Sequence, residues 1–125
     1  MRIFLADDSS DVRLALQMLI DAEPCMEVIG IAVETDGLLT QVLASKADVL
    51  LLDCDLPGEL QSDLVAEWRA MDSTPKVIAL SVDSDPRGCT AAYMADDFFC
   101  KMTSFDELLK ILRTWRDEMK TVRIR

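Results

Sequence analysis

The 125-residue sequence predicts an α/β fold, a doubly wound five-stranded parallel sheet with five helices. Five short apolar runs alternate with segments whose apolar residues recur at helical spacing, and this alternation indicates a parallel sheet with helices on both faces. The run at 49–52 is continuously apolar, which is typical of a central parallel strand. Half of the residues are apolar and there are only four Gly and four Pro. We therefore assign residues 1–125 to one globular domain, with no output domain.

The elements follow one another at short intervals along the chain. Predicted strands lie at 3–6, 26–33, 49–52, 77–80 and 98–100. Predicted helices lie at 12–20, 38–43, 64–68, 85–94 and 105–119, with Pro86 and Gly88 weakening the fourth. Ser9 or Ser10 can cap the first helix, and Ser104 and Glu107 form a capping-box pattern before the last. A flavodoxin-like three-layer sandwich fits this length, but the pattern does not fix the strand order.

The charge and hydropathy patterns exclude several classes of partner. The net charge of −10 argues against nucleic-acid binding, although residues 101–125 carry seven Lys/Arg against four Asp/Glu. No run approaches the ~18–20 apolar residues of a membrane span, and the short apolar start is too interrupted for a signal peptide. We therefore expect a cytoplasmic protein without a direct membrane contact.

Cysteine and histidine usage argues against a zinc site. The chain has no histidine, and its four cysteines show no C-x-x-C spacing. We expect reduced thiols, as is usual in the cytoplasm. The cysteines are Cys25, Cys54, Cys89 and Cys100.

Polar residues follow or end four of the five predicted strands. They are Asp7 with Asp8, Asp53, Ser81 and Lys101. Parallel strands place their carboxyl ends along one edge, so these residues are predicted to converge on one pocket. Clustered carboxylates suit Mg²⁺, a carboxylate can attack phosphorus, and a hydroxyl and an ammonium can stabilise the transferring group. Taken singly, each aspartate could equally be a cap. The set indicates phosphoryl transfer.

Four segments also resemble the receiver domain of bacterial two-component response regulators. IFLADDSSDVR resembles the first strand with its acidic pair, and VLLLDCDLPG the phosphoacceptor strand. VIALS resembles the hydroxyl-bearing strand, and ADDFFCK the strand that ends in the lysine. The resemblance covers essentially all 125 residues.

The resemblance implies roles for individual residues. Asp53 is then the phosphorylation site, and Asp7 and Asp8 hold Mg²⁺ together with Asp53 and the backbone carbonyl of Asp55. Ser81 and Lys101 contact the phosphoryl group by the same resemblance.

The resemblance further implies a signalling module and no enzyme beyond its own phosphorylation and dephosphorylation. A histidine kinase or a histidine phosphotransfer protein would donate the phosphate. Ser81 would move toward the phosphoryl group and Phe98 would turn inward, although ordinary core packing explains Phe98 equally well. Output would be read on the face of the fourth helix, fifth strand and fifth helix, which is also a possible homodimer contact. The basic end of the chain fits that contact, but a solvated helix end accounts for it better.

Three positions depart from the family pattern. Met102 stands where a cis-proline is usual, so the Lys101–Met102 bond is either trans or strained. Val82 stands where a small residue is usual, and we hypothesise that it slows phosphoryl entry or loss. Gln61 lies near a usual glycine, which predicts a different course for the loop after Pro57.

Two alternative functions remain open from the residues. Asp53-Cys-Asp55 resembles the D-x-D pair of haloacid dehalogenase-type phosphatases, but the acidic pair comes first in this chain and no cap insertion is visible. A pseudo-receiver, an interaction module with a poorly used pocket, is the other alternative. A nucleotide-binding protein is disfavoured because no glycine-rich loop follows the first strand.

Overall fold

The computed structural model describes residues 1–60 and 62–124, so the predicted loop change at Gln61 lies outside the described residues. The five strands are β1 (Arg2–Ala6), β2 (Glu27–Ala32), β3 (Val49–Asp53), β4 (Lys76–Ser81) and β5 (Asp97–Cys100). The helices are α1 (Ser10–Asp21), α2 (Leu38–Ser45), α3 (Ser62–Ala70) and α4 (Phe105–Ile124). All strand pairs are parallel, in the order β2-β1-β3-β4-β5. The predicted fold class and all five strands are confirmed.

Alternate residues of the central strands pack into two separate apolar cores, one on each face of the sheet. Phe4, Leu50 and Leu52 face one side, together with buried residues of α2 and α3. Residues one position along, such as Ile3 and Leu51, face the other side with α1 and α4. Because successive side chains of a strand point to opposite faces, a continuous apolar run is what a sheet covered on both sides requires.

The prediction of an α-helix at 85–94, the fourth of the five predicted helices, was wrong. Two 3₁₀ turns, Pro86–Gly88 and Thr90–Tyr93, occupy this stretch. Cys89 lies between them with extended backbone angles, φ −108° and ψ 114°, and is covalently bonded to Cys54. An extended residue in mid-segment interrupts the i→i−4 ladder, and Pro and Gly nearby already disfavour it. The segment therefore makes two short turns.

Local capping signals set the starts of α1 and α4. The Ser9 hydroxyl accepts from the Val12 amide, which makes Ser9 the cap of α1. The Ser104 hydroxyl accepts from the Asp106 amide, while the Glu107 carboxylate pairs with Lys110. Ser104 therefore caps α4, but through the amide two residues on and not through the Glu107 amide that a capping box uses.

Helix α4 is the longest element, with 20 residues and one apolar face. Leu108, Leu112 and Trp115 from that face enter the core shared with α1. Within the described ranges, no helix combines the length and the hydropathy needed to cross a membrane.

Candidate functional site

The carboxyl edge of the sheet carries the predicted constellation. β3 ends on Asp53 and β4 on Ser81, while Asp7 directly follows β1 and Lys101 directly follows β5. β1 and β3 are neighbours in the sheet, and the chain leaves them toward opposite faces, to α1 and α3. In open α/β sheets, ligands bind at such a reversal of strand order.

Three carboxylates meet at this reversal. Asp7, Asp8 and Asp53 each offer an oxygen, and these atoms all lie within 4.8 Å of one another. Asp7 is 0% exposed and Asp53 is 4% exposed, whereas Asp8 reaches solvent. Like charges this close repel by about 4 kcal/mol per pair at an effective dielectric of about 20. A cation placed among these carboxylates would offset that repulsion.

Lys101 supplies one such cation. Its Nζ lies 2.6 Å from Asp7 Oδ2 and 3.0 Å from Asp53 Oδ1. Burial is the largest single influence on the Lys101 pKa and lowers it. The hydrogen bonds and charges of Asp7 and Asp53 together outweigh burial and raise that pKa above its usual 10.5. The ammonium is thus fixed in its charged form between two of the three carboxylates.

The Asp53 carboxylate is held by two donors. Its Oδ1 accepts from the Asp55 amide at 3.1 Å as well as from the Lys101 ammonium. Burial nevertheless raises the pKa of Asp53 above its usual 3.8, with the Asp7 charge adding to that rise. A second cation at this carboxylate would favour its charged form further.

The donor set fits Mg²⁺. Asp7 Oδ2 is buried, and its charged partner among the described residues is the Lys101 ammonium, 2.6 Å away. A single ammonium shared between Asp7 and Asp53 leaves net negative charge on the three carboxylates, which a divalent cation would offset. Hard carboxylate oxygens are the ligands that Mg²⁺ prefers. Asp55 is exposed, and its proposed contribution is a backbone carbonyl.

The two predicted switch residues, Ser81 and Phe98, differ in burial and in their contacts. Ser81 is buried, its hydroxyl accepts from the Asp83 amide at 3.0 Å, and its carbonyl accepts from the Lys101 amide. Phe98 lies half-buried in β5, opposite Ala79 of β4. Their assignment as switch residues stays a prediction.

The structure describes two of the three positions that depart from the family pattern. No cis peptide bond occurs in the described parts of the chain, so the Lys101–Met102 bond is trans. Val82 and Met102 are both exposed beside the strand ends, at 57% and 78%. The hypothesis that Val82 affects phosphoryl entry stays untested.

Several positioning contacts could not be anticipated from sequence. The Ser9 amide donates to Asp7 Oδ1 at 2.9 Å, and the Arg13 guanidinium donates to the Asp7 carbonyl at 3.0 Å. Ser9 carried a capping signal, but nothing in the pattern pointed to Arg13. The Ser9 amide orients the buried Asp7 carboxylate, while Arg13 holds the backbone that carries it.

A cavity of about 240 Å³ opens beside Asp53. The loop after β2, the loop after β3 and the second 3₁₀ turn form its walls. The lining residues are Thr35, Asp53, Cys54, Leu56, Gly58, Glu59, Leu60 and Ala91. A larger cavity of about 480 Å³ lies at the opposite end of the sheet, by Lys76 and Trp115. We place the candidate site beside the smaller cavity, because Asp53 of the carboxylate cluster is among its lining residues.

The expectation of four reduced thiols was wrong. Cys54 and Cys89 form a disulfide with a Cα–Cα distance of 5.3 Å, whereas Cys25 and Cys100 are free. The two bonded residues are 35 positions apart, so their spacing carries no signal. The parallel pairing of β3 with β4 brings the segments that follow these strands together.

Comparison with known proteins assigns the family. Residues 3–113 match the response regulator receiver domain family. The chain belongs to this family. It is 32% identical over 95 residues to a protein-glutamate methylesterase/protein-glutamine glutaminase of Geobacter metallireducens, and 35% identical over 88 residues to the oxygen regulatory protein NreC of Staphylococcus aureus. These matches cover 75% and 68% of this chain but only 27% and 40% of the relatives.

Solved receiver structures share the whole fold. The response regulatory domain of protein mrkE from Klebsiella pneumoniae superposes with a TM-score of 0.79 at 16% identity, covering 97% of this chain and 99% of that one. The response regulator domain of Thermotoga maritima CheB gives 0.70 at 25% identity, with coverages of 91% and 94%. The predicted family is therefore confirmed.

Proposed function

We propose that this receiver domain accepts a phosphoryl group on Asp53 from a phosphohistidine of a histidine kinase or a histidine phosphotransfer protein in the cytoplasm. The observation that carries the proposal is the meeting of three carboxylates within 4.8 Å of one another, with the Lys101 ammonium 3.0 Å from Asp53 Oδ1. This set provides a nucleophile, ligands for a hard cation and a fixed positive charge. Family membership favours this function over a haloacid dehalogenase-type phosphatase.

The transfer is a displacement at phosphorus. An Asp53 carboxylate oxygen forms the new P–O bond while the donor's N–P bond breaks, and the electron pair of that bond returns to the imidazole. We assign the attack to Oδ2, because Oδ1 is fixed by the Asp55 amide and Lys101. Lys101 and the Ser81 hydroxyl then stabilise charge on the phosphoryl oxygens. Hydrolysis of the acyl phosphate resets the domain.

Asp7, Asp8, Asp53 and the Asp55 carbonyl would hold Mg²⁺. Bound there, the ion supplies charge neutralisation for phosphoryl oxygens and relief of the carboxylate repulsion. Within the chain itself, the Ser9 amide holds the Asp7 carboxyl group in place for this task, and the Arg13 guanidinium holds the Asp7 backbone carbonyl.

The proposed switch begins at Ser81. Its hydroxyl accepts from the Asp83 amide, and turning toward a phosphoryl group on Asp53 exchanges that bond for a charge-assisted one. Phe98, half-buried in β5, would turn inward with it. Phosphorylation would shift an existing equilibrium between an inactive and an active conformation. The size of that shift is limited by how much better the active conformation accommodates the phosphoryl group.

The proposed output and homodimer face consists of the 3₁₀ segment 86–93, β5 and α4. Three of the cations of α4 already have acidic partners within the domain. Arg113 and Arg116 both pair with Glu23, and Lys110 pairs with Glu107. Since these charges are matched within the domain, a contact on this face would depend on its other residues.

Labelling with acetyl phosphate and Mg²⁺ tests the proposed function. We expect one phosphate per chain by intact mass, lost in Asp53→Asn. Asp55→Asn is the matched control, since that exposed side chain is two residues away and only its backbone carbonyl is assigned to the metal. Equal labelling of Asp53→Asn and the wild type would refute the assignment. Absence of labelling and of beryllofluoride binding would make the domain a pseudo-receiver, and repeated turnover of small phosphate esters would revive the phosphatase.

A further inference from the structure

We propose that the Cys54–Cys89 pair is a reversible thiol–disulfide switch that controls how readily Asp53 binds a phosphoryl group. Cys54 is the residue after Asp53, and its partner lies between the two 3₁₀ turns that follow β4. The inference rests on the proposed phosphoacceptor function. It adds an input to the site other than the phosphoryl donor.

The fold has the means to persist without this bond. β3 and β4 are paired over five positions, and the Cys54 amide extends the ladder by donating to the Leu80 carbonyl at 2.7 Å. Cys89 is 6% exposed and packs in the apolar core with Ala91 and Met94. A free thiol packs there as a small apolar side chain. Both redox states are therefore compatible with the same sheet and core.

The bond restrains the surroundings of Asp53 outside the sheet. Cys54 and Ala91 line the cavity beside Asp53, so the disulfide links two of its walls. It also closes off the segment 82–88, which is fixed by β4 at one end and by Cys89 at the other. The Asp83 amide that donates to Ser81 belongs to this segment.

This restraint opposes phosphoryl binding. A phosphoryl group on Asp53 needs room in the cavity, and the proposed turn of Ser81 requires the segment after it to adjust. The oxidised form restricts both movements by a covalent bond, and the reduced form releases them. We therefore assign the oxidised domain the lower affinity for a phosphoryl group.

Thiol–disulfide exchange with a low-molecular-weight disulfide provides the chemistry. The thiolate of half-buried Cys54 attacks one sulfur of the small disulfide and displaces the other as a thiol. The thiolate of Cys89 then attacks Cys54 Sγ and displaces the second small thiol. Two protein thiols lose two electrons to the small disulfide, and their protons leave on its two thiol products. In the cytoplasm, disulfides of this kind are usually transient or redox-sensing.

The test uses a Cys25→Ser/Cys100→Ser background, which keeps the pair and removes both free thiols. The protein is equilibrated in glutathione buffers of graded ratio, and its thiols are counted by alkylation and intact mass. Calorimetric titration with beryllofluoride in Mg²⁺ then gives the affinity of each form. We expect reduction to raise the affinity about tenfold, within the usual range of allosteric coupling.

Linkage provides an independent readout. If reduction favours beryllofluoride tenfold, beryllofluoride must favour reduction by the same factor. The midpoint potential of the pair should therefore rise by about 30 mV when Mg²⁺ and beryllofluoride are present. The Cys89→Ala variant cannot form the disulfide, so it should bind beryllofluoride equally in all buffers. Cys54→Ser serves as a second variant if the buried Cys89 substitution impairs folding.

The outcomes separate this inference from the proposed function. Two alkylatable thiols at every glutathione ratio would show that the pair does not form, and equal affinity of the two forms would show that it does not couple to Asp53. Either result overturns the inference and leaves Asp53 as phosphoacceptor. Failure of both forms to bind beryllofluoride overturns the proposed function and the inference with it.

Discussion

Replacing Lys101 by alanine should destabilise the domain far more than the loss of an ordinary lysine. Its Nζ lies within 3.0 Å of oxygens of both Asp7 and Asp53, and its side chain is only 10% exposed. Asp7 and Asp53 are themselves almost fully buried. The variant therefore leaves two buried carboxylates beside each other without their protein cation.

The magnitude follows from the charges and their burial. Removing one partner of a buried ion pair costs about 3–5 kcal/mol, because the other charge stays desolvated and unpaired. One carboxyl can take up a proton instead, which relieves part of this loss. We expect the free energy of unfolding to fall by about 3 kcal/mol at neutral pH without Mg²⁺. For a domain of this size, that corresponds to a decrease in Tm of about 9–15 °C.

Urea denaturation in a chelating buffer measures this loss, with Lys110→Ala as the matched control. Lys110 sits 3.0 Å from Glu107, but its side chain is 66% exposed. Exposed pairs of this kind contribute about 0–1 kcal/mol. Both variants replace one ion-paired lysine by alanine, and the two lysines differ in how deeply their ion pairs are buried. The difference between the two losses therefore measures the effect of burial.

The pH dependence of the deficit gives a second check. Without Lys101, the Asp53 carboxyl group loses a cation that favours its charged form, so its pKa in the folded state rises further above that of the unfolded chain. The folded variant then binds more protons as the pH falls, so its deficit should shrink on acidification toward the ordinary aspartate pKa of 3.8. Equal losses for Lys101→Ala and Lys110→Ala, or a deficit that stays constant with pH, would refute the reasoning.

Three further predictions concern the metal, a surface ion pair and the core. Mg²⁺ at 100 times its Kd should stabilise the wild type by about 2.7 kcal/mol in thermal melts, and Asp7→Asn should lose most of this gain; an equal gain in both proteins would remove Asp7 as a ligand. The hydrogen bond from Arg113 lowers the pKa of Glu23 below 4.5, so Glu23 stabilises the fold above that pH. The difference in Tm between wild type and Glu23→Gln should therefore vanish as the pH falls through the lowered pKa, and a gap that persists in acid would contradict this assignment. Gly30→Ala should cost about 1–3 kcal/mol by chemical denaturation, because its Cβ would lie 2.5 Å from the buried Phe4 ring, and a near-neutral effect would show that the ring moves aside.

Local signals in the sequence were sufficient for the strands and for the polar residues at their ends. Each strand is a short apolar run, and a polar residue at its end stands out against that run, as Asp53 does after four apolar residues. The family motifs add to this because they lie on the same strand ends. Cap signals were similarly local, and Ser9 acts as one predicted cap.

Longer-range features were predicted less well for a common reason. The fourth helix failed because Cys89 is held extended by a bond to a residue 35 positions away, which no local propensity reports. Arg13 could not be recognised as a partner of the Asp7 carbonyl, because that contact depends on how α1 leaves β1. Both features are consequences of chain packing.

The sequence by itself determined the alternation of strands and helices and the acidic, hydroxyl and lysine residues at the strand ends, from which the class of chemistry was predicted. These properties belong to single segments, where periodicity and residue type act locally. The tertiary structure decided the strand order, the meeting of Asp7, Asp8 and Asp53, the pairing of Lys101 with two of them, and the disulfide beside Asp53. Those properties belong to pairs of segments far apart in the chain, and their proximity is set by which strands pair and which faces the helices cover.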